Sequence, residues 1–433
     1  MSRHKRQGPV AERRAIAPNH TPAVTHDGRN DQQLTPVSQS MDTEDLIRAL
    51  VPRYMECVYT SHPIIPECEL LECIDRRKSD STAAALAYAA TATTIHFTSA
   101  DFMQVTESAR ASQLRQHVEW ACDALGAQRP FSPLSVTKAM THLFLANCLV
   151  AMGDRNTAFM HLRQAVSMSE VLLSRSGSGS DCLDEPRLRR LHWLVYIHER
   201  YECISESRQT VLKPLPSIFV GDGELSTNVS VGFKRLVRLF LLLDDTFLAF
   251  WSGADSRTPI TEEWIAQRCE AFDEDEREAR LEESQLSMAQ RADLFITRHW
   301  LLALLWRIAM SHNLLRDLAP QVCFSLLFPL HVSKRLRQML EHMPLEALLI
   351  HGVGIGQKLF ELTDTVADVI LHVSSISTAT PESTMEQLDN FLYLRNVLLG
   401  FSLLDATRKS IIEEKIARIV QLKTSFDTTT DSA

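Results

Sequence analysis

The sequence lacks the features that mark several large classes of protein. Its nine cysteines are odd in number and scattered through apolar segments, which predicts reduced, intracellular thiols and not a disulfide framework. Its longest apolar run, residues 299–310, is too short for a membrane span and contains Arg307, and the N-terminus has no apolar core of the kind that a secretory signal needs. We therefore predict a soluble protein inside the cell, with no membrane partner.

Glycine, proline and basic charge are also scarce. The 14 Gly and 17 Pro in 433 residues, with 45% hydrophobic residues, are typical of a helical globular chain. The formal charge of −9, from 45 basic and 54 acidic residues, argues against a large nucleic-acid-binding surface. Apolar residues recur at three- and four-residue spacing and no alternating run requires a sheet. The predicted fold class is all-α, a multi-helix bundle.

Motifs for catalysis or metal binding are missing as well. The chain has no His-Glu-x-x-His, phosphate-loop or Gly-x-Ser-x-Gly motif, so no catalytic, cofactor-binding or metal site is predicted. The glycines of GVGIGQ at 352–357 are interpreted as close packing or a helix bend. Asp244-Asp245, on one apolar helix predicted over 231–251, resembles the aspartate-rich motif of all-helical terpene synthases, but positions 248 and 249 hold no third carboxylate. Helix pairing or capping is the preferred interpretation.

The composition divides the chain into three parts. Residues 1–40 are polar and without helical period, which predicts a disordered tail, and their basic start indicates either a nuclear import signal or a merely solubilising segment. Residues 41–424 are predicted to be all-helical. Residues 425–433 are predicted to fray.

One helix, predicted over about 185–206, carries charged groups among apolar residues on most of its sides. Such a helix belongs in the middle of a bundle, where buried guanidinium groups must find acidic or aromatic partners. These residues are either a site for a small-molecule effector or an internally paired structural stripe: Glu185, Arg189, Trp193, Tyr196, Glu199 and Arg200.

The order of residues along this helix resembles the signature helix of the fungal-specific transcription factor domain, which is the middle homology region of the zinc binuclear cluster regulators. The matching positions are Glu185, Arg189, Arg190, Trp193, Tyr196, Glu199, Arg200 and Arg208, with Pro214 and Pro216 after them. The resemblance implies a bundle of that regulatory-domain type and a nuclear regulator of a metabolic or secondary-metabolite gene cluster.

The DNA-binding module of that family needs six closely spaced cysteines near the N-terminus, and this sequence has none before Cys57. We therefore expect DNA contact to come only indirectly, through a protein partner (a DNA-binding regulator or a homodimer), or through an N-terminal exon absent from this sequence.

A second hypothesis is a helical scaffold or adaptor without a transcriptional role. Two apolar segments joined by the tight turn Met152-Gly153-Asp154 resemble the helix pair before the family's signature helix, and they also resemble one tetratricopeptide repeat. Only one such pair is visible in the sequence. A third hypothesis, an all-helical enzyme, requires metal ligands or an acid–base pair that the sequence does not offer.

Overall fold

The structure, a computed structural model, describes residues 43–98, 103–126, 133–176, 185–218, 223–255, 258–316, 322–372, 381–400 and 406–430. Within them the chain forms seventeen α-helices and no strand, which confirms the all-α prediction. None of the helices in these ranges is long and apolar enough to cross a membrane. The tail at 1–40 lies outside the described residues, so its predicted disorder and import signal stay predictions.

The α-helices follow one another along the chain in this order: α1 (Thr43–Ala49), α2 (Val51–Cys57), α3 (Glu67–Arg76), α4 (Ser81–His96), α5 (Glu107–Leu125), α6 (Val136–Ala151), α7 (Arg155–Ser176), α8 (Glu185–Glu206), α9 (Thr227–Leu241), α10 (Asp245–Ser252), α11 (Glu262–Glu282), α12 (Met288–Ser311), α13 (Phe328–Leu340), α14 (Leu345–Leu349), α15 (Gly352–His372), α16 (Pro381–Leu399) and α17 (Ala406–Thr430).

Helices α4 to α8 form a run of neighbours in which α4 packs on α5 and α6, α6 on α7, and α7 on α8. The alanines of α4 make this close approach possible, because they leave little bulk between helix axes. Polar residues define where these helices begin: Asp80 caps α4, Thr106 caps α5 and Ser135 caps α6 with side-chain oxygens that accept backbone N–H groups.

Helix α12 contains the apolar run at 299–310 and is the core helix of the second half, where it packs against α9, α11, α13, α14 and α15. A capping box between Ser287 and Gln290 begins it. Asp275 on α11 is buried and pairs with Arg298 on α12 and Arg235 on α9, so one carboxylate joins three helices.

Several predicted boundaries change in the structure. The helix predicted over 231–251 is two helices, because Asp244 caps α10: its Oδ1 accepts the Phe247 amide at 2.9 Å and its Oδ2 accepts Trp264 Nε1 at 3.0 Å. Both carboxylate oxygens are thereby used structurally, in agreement with the capping interpretation. Helix α17 continues to Thr430, past the boundary at 424 that was drawn from the sequence.

Candidate functional site

Helix α8 lies between α6, α7, α9 and α10 and presents two different kinds of surface. One side carries the charged and aromatic residues that the sequence singled out. Another side carries Leu194, Ile197, His198, Tyr201 and Glu202, which line an internal cavity. The two sides differ in what they border: the first packs against the chain that follows α8, and the second borders the cavity.

Glu199 is the most fully bonded group on the first side. Its carboxylate accepts the backbone amides of Val211 and Leu212 at 2.9 and 3.0 Å. It also accepts hydrogen bonds from Arg163 on α7 at 2.7 Å and from Arg200 at 3.2 Å. With 3% of its surface exposed, Glu199 fixes the chain that follows α8 against α7 and α8. We call this set of contacts the Glu199 clamp.

Arg200 completes the clamp from the same helix. Its Nη2 donates to the Leu212 carbonyl at 2.7 Å, and its guanidinium lies 3.1 Å from the centroid of the Tyr196 ring. Burial lowers the pKa of Arg200, and it raises the pKa of Tyr196, which the neighbouring Arg200 partly offsets. Trp193 is fully buried and meets the Tyr196 ring edge-on at 5.3 Å. These four side chains contact mainly one another and backbone, and Nε1 of Trp193 and Nε of Arg200 have no hydrogen-bond partner.

The first turn of α8 differs from the sequence expectation, which had Arg189 buried. Arg189 keeps 28% of its side chain exposed and donates to Glu185 at 3.1 Å across one helical turn. Arg190 is buried in its place and donates to the Pro63 carbonyl at 3.1 Å and to Glu224 at 3.2 Å. The 100° rotation between the two positions turns Arg190, and not Arg189, toward the segment after α2.

The internal cavity has a volume of about 170 Å³ and lies where α4, α6, α7, α8, α9, α12 and α15 converge. We call it the central cavity. None of the six residues proposed from the sequence lines it. Its wall holds an unusual concentration of titratable side chains from separate parts of the chain: His62, His96, His198, His351, Asp293 and Lys358.

Three segments meet around His62, which is buried between α2 and α3. The amide nitrogen of Asn147 lies 3.3 Å and Nε2 of His198 lies 3.2 Å from Nε2 of His62. Because both of these neighbours donate, His62 Nε2 accepts, and its Nδ1 donates to Ser61 Oγ at 2.8 Å. This pattern requires a neutral imidazole at His62, whereas the donating Nε2–H of His198 is compatible with either protonation state of that ring.

The pKa values of these histidines agree with the hydrogen-bond pattern. Burial lowers the pKa of His62 to about 4 and that of His96 and His198 to about 3. Burial also lowers the pKa of His351, whose Nε2 donates to the Ala289 carbonyl at 2.9 Å. At neutral pH the cavity wall therefore presents uncharged imidazole rings.

Two charged residues of the wall, Lys358 and Asp293, are paired with each other. Lys358 Nζ lies 3.4 Å from Asp293 Oδ1 and donates to Thr297 Oγ1 at 2.6 Å, while Thr297 donates to Asp293 at 3.0 Å. Burial raises the pKa of Asp293, but Lys358, His351 and Thr297 together outweigh it, so the pKa is held below its usual value. The pair adds no net charge to the cavity.

Two other lining residues keep polar atoms without a hydrogen bond. Oε2 of Glu202 and Nδ1 of His96 have no partner, although these residues are only 9% and 4% exposed. Burial raises the pKa of Glu202. Unsatisfied buried polar atoms are costly and uncommon, and at a cavity wall they mark positions where a bound molecule gains hydrogen bonds.

No three histidine, cysteine, aspartate or glutamate side chains are placed to hold a metal ion within the described ranges. The four cavity histidines therefore do not form a metal centre there. Cys68 and Cys73, which lie five positions apart on α3, are free thiols, the first exposed and the second buried.

Comparison with known proteins finds fungal regulators. A probable sucrose utilization protein of Candida albicans is 24% identical over 242 residues, which are 53% of this chain and 46% of that protein. A maltose fermentation regulatory protein of Saccharomyces cerevisiae is 21% identical over 257 residues (57% and 53%), and a respiratory transcription factor of the same yeast is 22% identical over 248 residues (55% and 51%). The chain matches no protein-family profile.

The chain spans about half the length of the curated relatives it matches. The similarity therefore extends to a sizeable region of each relative. At identities of 21–24%, the similarity supports a common regulatory region. It agrees with the coarse resemblance seen along α8.

Sequence reasoning did not find the central cavity. Its histidines come from four segments that are far apart in the chain, with no motif spacing, and only the fold brings them together. One signal was available in GVGIGQ, which was interpreted as close packing or a bend. Gly352 does pack closely, since a Cβ there would lie 2.6 Å from the Phe97 ring. At Gly354 a Cβ would meet no atom within 4 Å, because this glycine lines the cavity.

Proposed function

We propose that this chain is the regulatory region of a fungal transcription regulator that controls metabolic genes. The observation that carries the proposal is the similarity, over more than half of the chain, to fungal proteins named for sugar utilization, maltose fermentation and respiratory transcription. The all-helical body and the residue order of α8 are what the resemblance implies for such a region. The proposal assigns no enzyme activity.

The genes under control are a finer part of the proposal. The names of the relatives favour genes of carbon-source use and respiration as the first loci to examine. A secondary-metabolite cluster, which the resemblance alone also implies, is the second choice. Regulation of either set places the protein in the nucleus.

DNA contact is proposed to come from outside the residues described. The sequence has no cysteine before Cys57 for a zinc cluster, and its formal charge is −9. A DNA-binding partner, a homodimer that recruits one, or a segment that precedes this sequence would supply the basic surface that phosphate contacts require.

A reporter fusion tests the regulatory role independently of DNA contact. The full chain is joined to an unrelated DNA-binding module whose site lies upstream of a reporter gene in a fungal host. We expect reporter output to differ from that of the module alone and to change with carbon source. The matched control is the same fusion with Trp193→Ala, which should lose the effect because Trp193 is fully buried in the bundle.

Chromatin immunoprecipitation of the tagged chain, together with transcript profiling of a deletion strain, tests the same proposal in the native context. Occupied loci whose transcripts change on deletion are expected. A chain that occupies no locus, and whose deletion changes no coherent set of transcripts, is not a transcription regulator.

The helical scaffold is the second candidate, and the packing of α4 to α8 favours it in one respect. The helices of the α4–α5 and α6–α7 pairs are close neighbours, as in helical repeat proteins. However, the first pair begins at Ser81 and the second at Val136, a spacing much longer than the roughly 34 residues of tetratricopeptide repeats. Partner proteins captured with the tagged chain in the cytoplasm, without locus occupancy, would favour this candidate.

A further inference from the structure

The central cavity combines a partly enclosed space with polar groups that lack partners. We infer that it is a binding site for a small neutral molecule that carries several hydroxyl groups. As a regulatory input, the site rests on the proposed function, because such a ligand would supply the signal that a regulator reads. The binding itself is a property of the purified chain and is tested separately.

The volume limits the size of the ligand. A protein cavity of about 150 Å³ accommodates a benzene molecule, which has six non-hydrogen atoms. The central cavity, at about 170 Å³, is slightly larger than that. We expect ligands of about six to twelve non-hydrogen atoms to fit. A disaccharide is too large.

The charges of the wall select a neutral ligand. Asp293 and Lys358 lie 3.4 Å apart and compensate each other, so neither is available to a charged group without losing its own partner. The hydrogen bonds around His62 require a neutral ring there, and burial lowers the pKa of His198. A ligand with a net charge would find no unpaired opposite charge in the wall except the Glu202 carboxyl, where burial favours the neutral form, so a charged ligand is disfavoured.

The hydrogen-bonding groups select hydroxyl groups in particular. A hydroxyl both donates and accepts, so it can satisfy a neutral imidazole nitrogen in either tautomer and a carboxyl oxygen in either protonation state. The unpartnered Nδ1 of His96 and Oε2 of Glu202 lie on different helices, α4 and α8, of the same wall. A ligand with hydroxyl groups at both ends would reach them together.

The remaining wall is apolar. Val150, Leu162 and Phe240, from α6, α7 and α9, also line the cavity. Carbon-bound hydrogens of a ligand pack against such a surface. The wall is thus suited to a molecule with a hydroxylated edge and an apolar edge, and less to a fully hydrated ion.

Isothermal titration calorimetry of the purified full chain tests the inference with neutral polyols from glycerol to glucose and inositol. Three comparators add charge or size: gluconate carries a negative charge, glucosamine carries a positive charge, and maltose has twice the size of glucose. We expect at least one neutral polyol to bind, and the three comparators to bind at least roughly tenfold more weakly than that polyol.

Variants locate the binding to the cavity. Gly354→Leu fills it, because a Cβ at 354 meets no atom within 4 Å, and should weaken binding roughly tenfold or more. Asn147→Leu removes a polar lining group by a smaller change and serves if the first variant does not fold. Met160→Gln, on the exposed side of α7, should bind like the wild type.

Each outcome has a meaning. Absence of binding by every neutral polyol at millimolar concentration overturns the inference, as does tighter binding of gluconate or glucosamine. Equal binding by wild type and a folded Gly354→Leu or Asn147→Leu chain places the ligand elsewhere and also overturns it. None of these results bears on the reporter fusion, so the proposed function stands or fails separately.

Discussion

The two sides of α8 show how one helix can serve packing on one side and a cavity on the other. At the Glu199 clamp, two backbone amides and two arginines converge on one buried carboxylate, and no oxygen is left without a donor. At the central cavity, Glu202 and His96 keep polar atoms without partners beside open space. Polar atoms without a partner also occur on the clamp side, at Nε of Arg200 and Nε1 of Trp193, but only those of Glu202 and His96 belong to residues that line the cavity, where a ligand can reach them.

Removing the largest buried ring on the paired side should have the largest effect. Trp193→Ala is expected to lower the free energy of unfolding by about 3–5 kcal/mol, because the ring is fully buried and its neighbours cannot close the space. Urea unfolding followed by circular dichroism measures the loss. A change well below 1 kcal/mol would contradict the enclosed position of α8.

The clamp itself is tested by Glu199→Gln. This change keeps the shape but leaves Arg200 without its carboxylate in the core, which should cost about 3 kcal/mol. Glu185→Gln is the matched control, since the Glu185–Arg189 pair is partly exposed and should contribute less than about 1 kcal/mol. Equal losses in the two variants would remove the distinction between the clamp and a surface pair.

Lowering the pH should reduce the free energy of unfolding through the cavity histidines before it affects the Glu199 clamp. Below about pH 6.5 the unfolded chain takes up protons on histidines that remain neutral in the folded state, so the free energy of unfolding falls as the pH falls. The loss is about 1.4 kcal/mol per pH unit for each such ring until the pH reaches the folded value, about 4 for His62 and about 3 for His198.

His198→Gln checks this assignment in urea unfolding at pH 7 and pH 5.5. The free energy of unfolding of the variant should depend less steeply on pH than that of the wild type, because roughly one proton fewer is taken up on unfolding. The same pH dependence in both chains would mean that His198 does not stay neutral in the fold.

Two glycines of α15 give the smallest and most direct comparison. Gly352→Ala should destabilise by about 1–3 kcal/mol, because φ is +60° and the added Cβ meets the Phe97 ring. Gly354→Ala, two residues away, should stabilise by up to about 0.5–1 kcal/mol, because its Cβ enters open space and alanine favours the helix. Opposite signs of the two changes in melting temperature support the cavity, and a loss at both positions would argue against it.

The sequence predicted the all-α class and singled out α8 because both depend on local patterns. Apolar periodicity and the order of charged and aromatic residues can be read within a few helical turns. The partner of Arg200 was predictable for the same reason, since Glu199 is its neighbour in the chain. The burial of Arg190 in place of Arg189 was not, because it depends on Pro63, which only the tertiary fold brings near.

The cavity could not be predicted from the sequence, because it depends even more on the tertiary fold. His62, His96, His198 and His351 lie on four segments whose approach is decided by packing over the whole bundle. The spaces between helices depend on small differences in side-chain volume. Gly354 has no side chain and so leaves part of the cavity unfilled. A glycine that serves close packing and one that borders a void look alike in a sequence.

The Glu199 clamp lies next to the central cavity along α8. His198 borders the cavity, and the next residue, Glu199, holds the amides of Val211 and Leu212. A rotation or translation of α8 that moves the His198 imidazole would therefore also move the backbone at Val211 and Leu212, because that backbone is hydrogen-bonded to Glu199. Val211 is 54% exposed. A displacement of α8 inside the bundle would therefore also change the position of a residue at the surface.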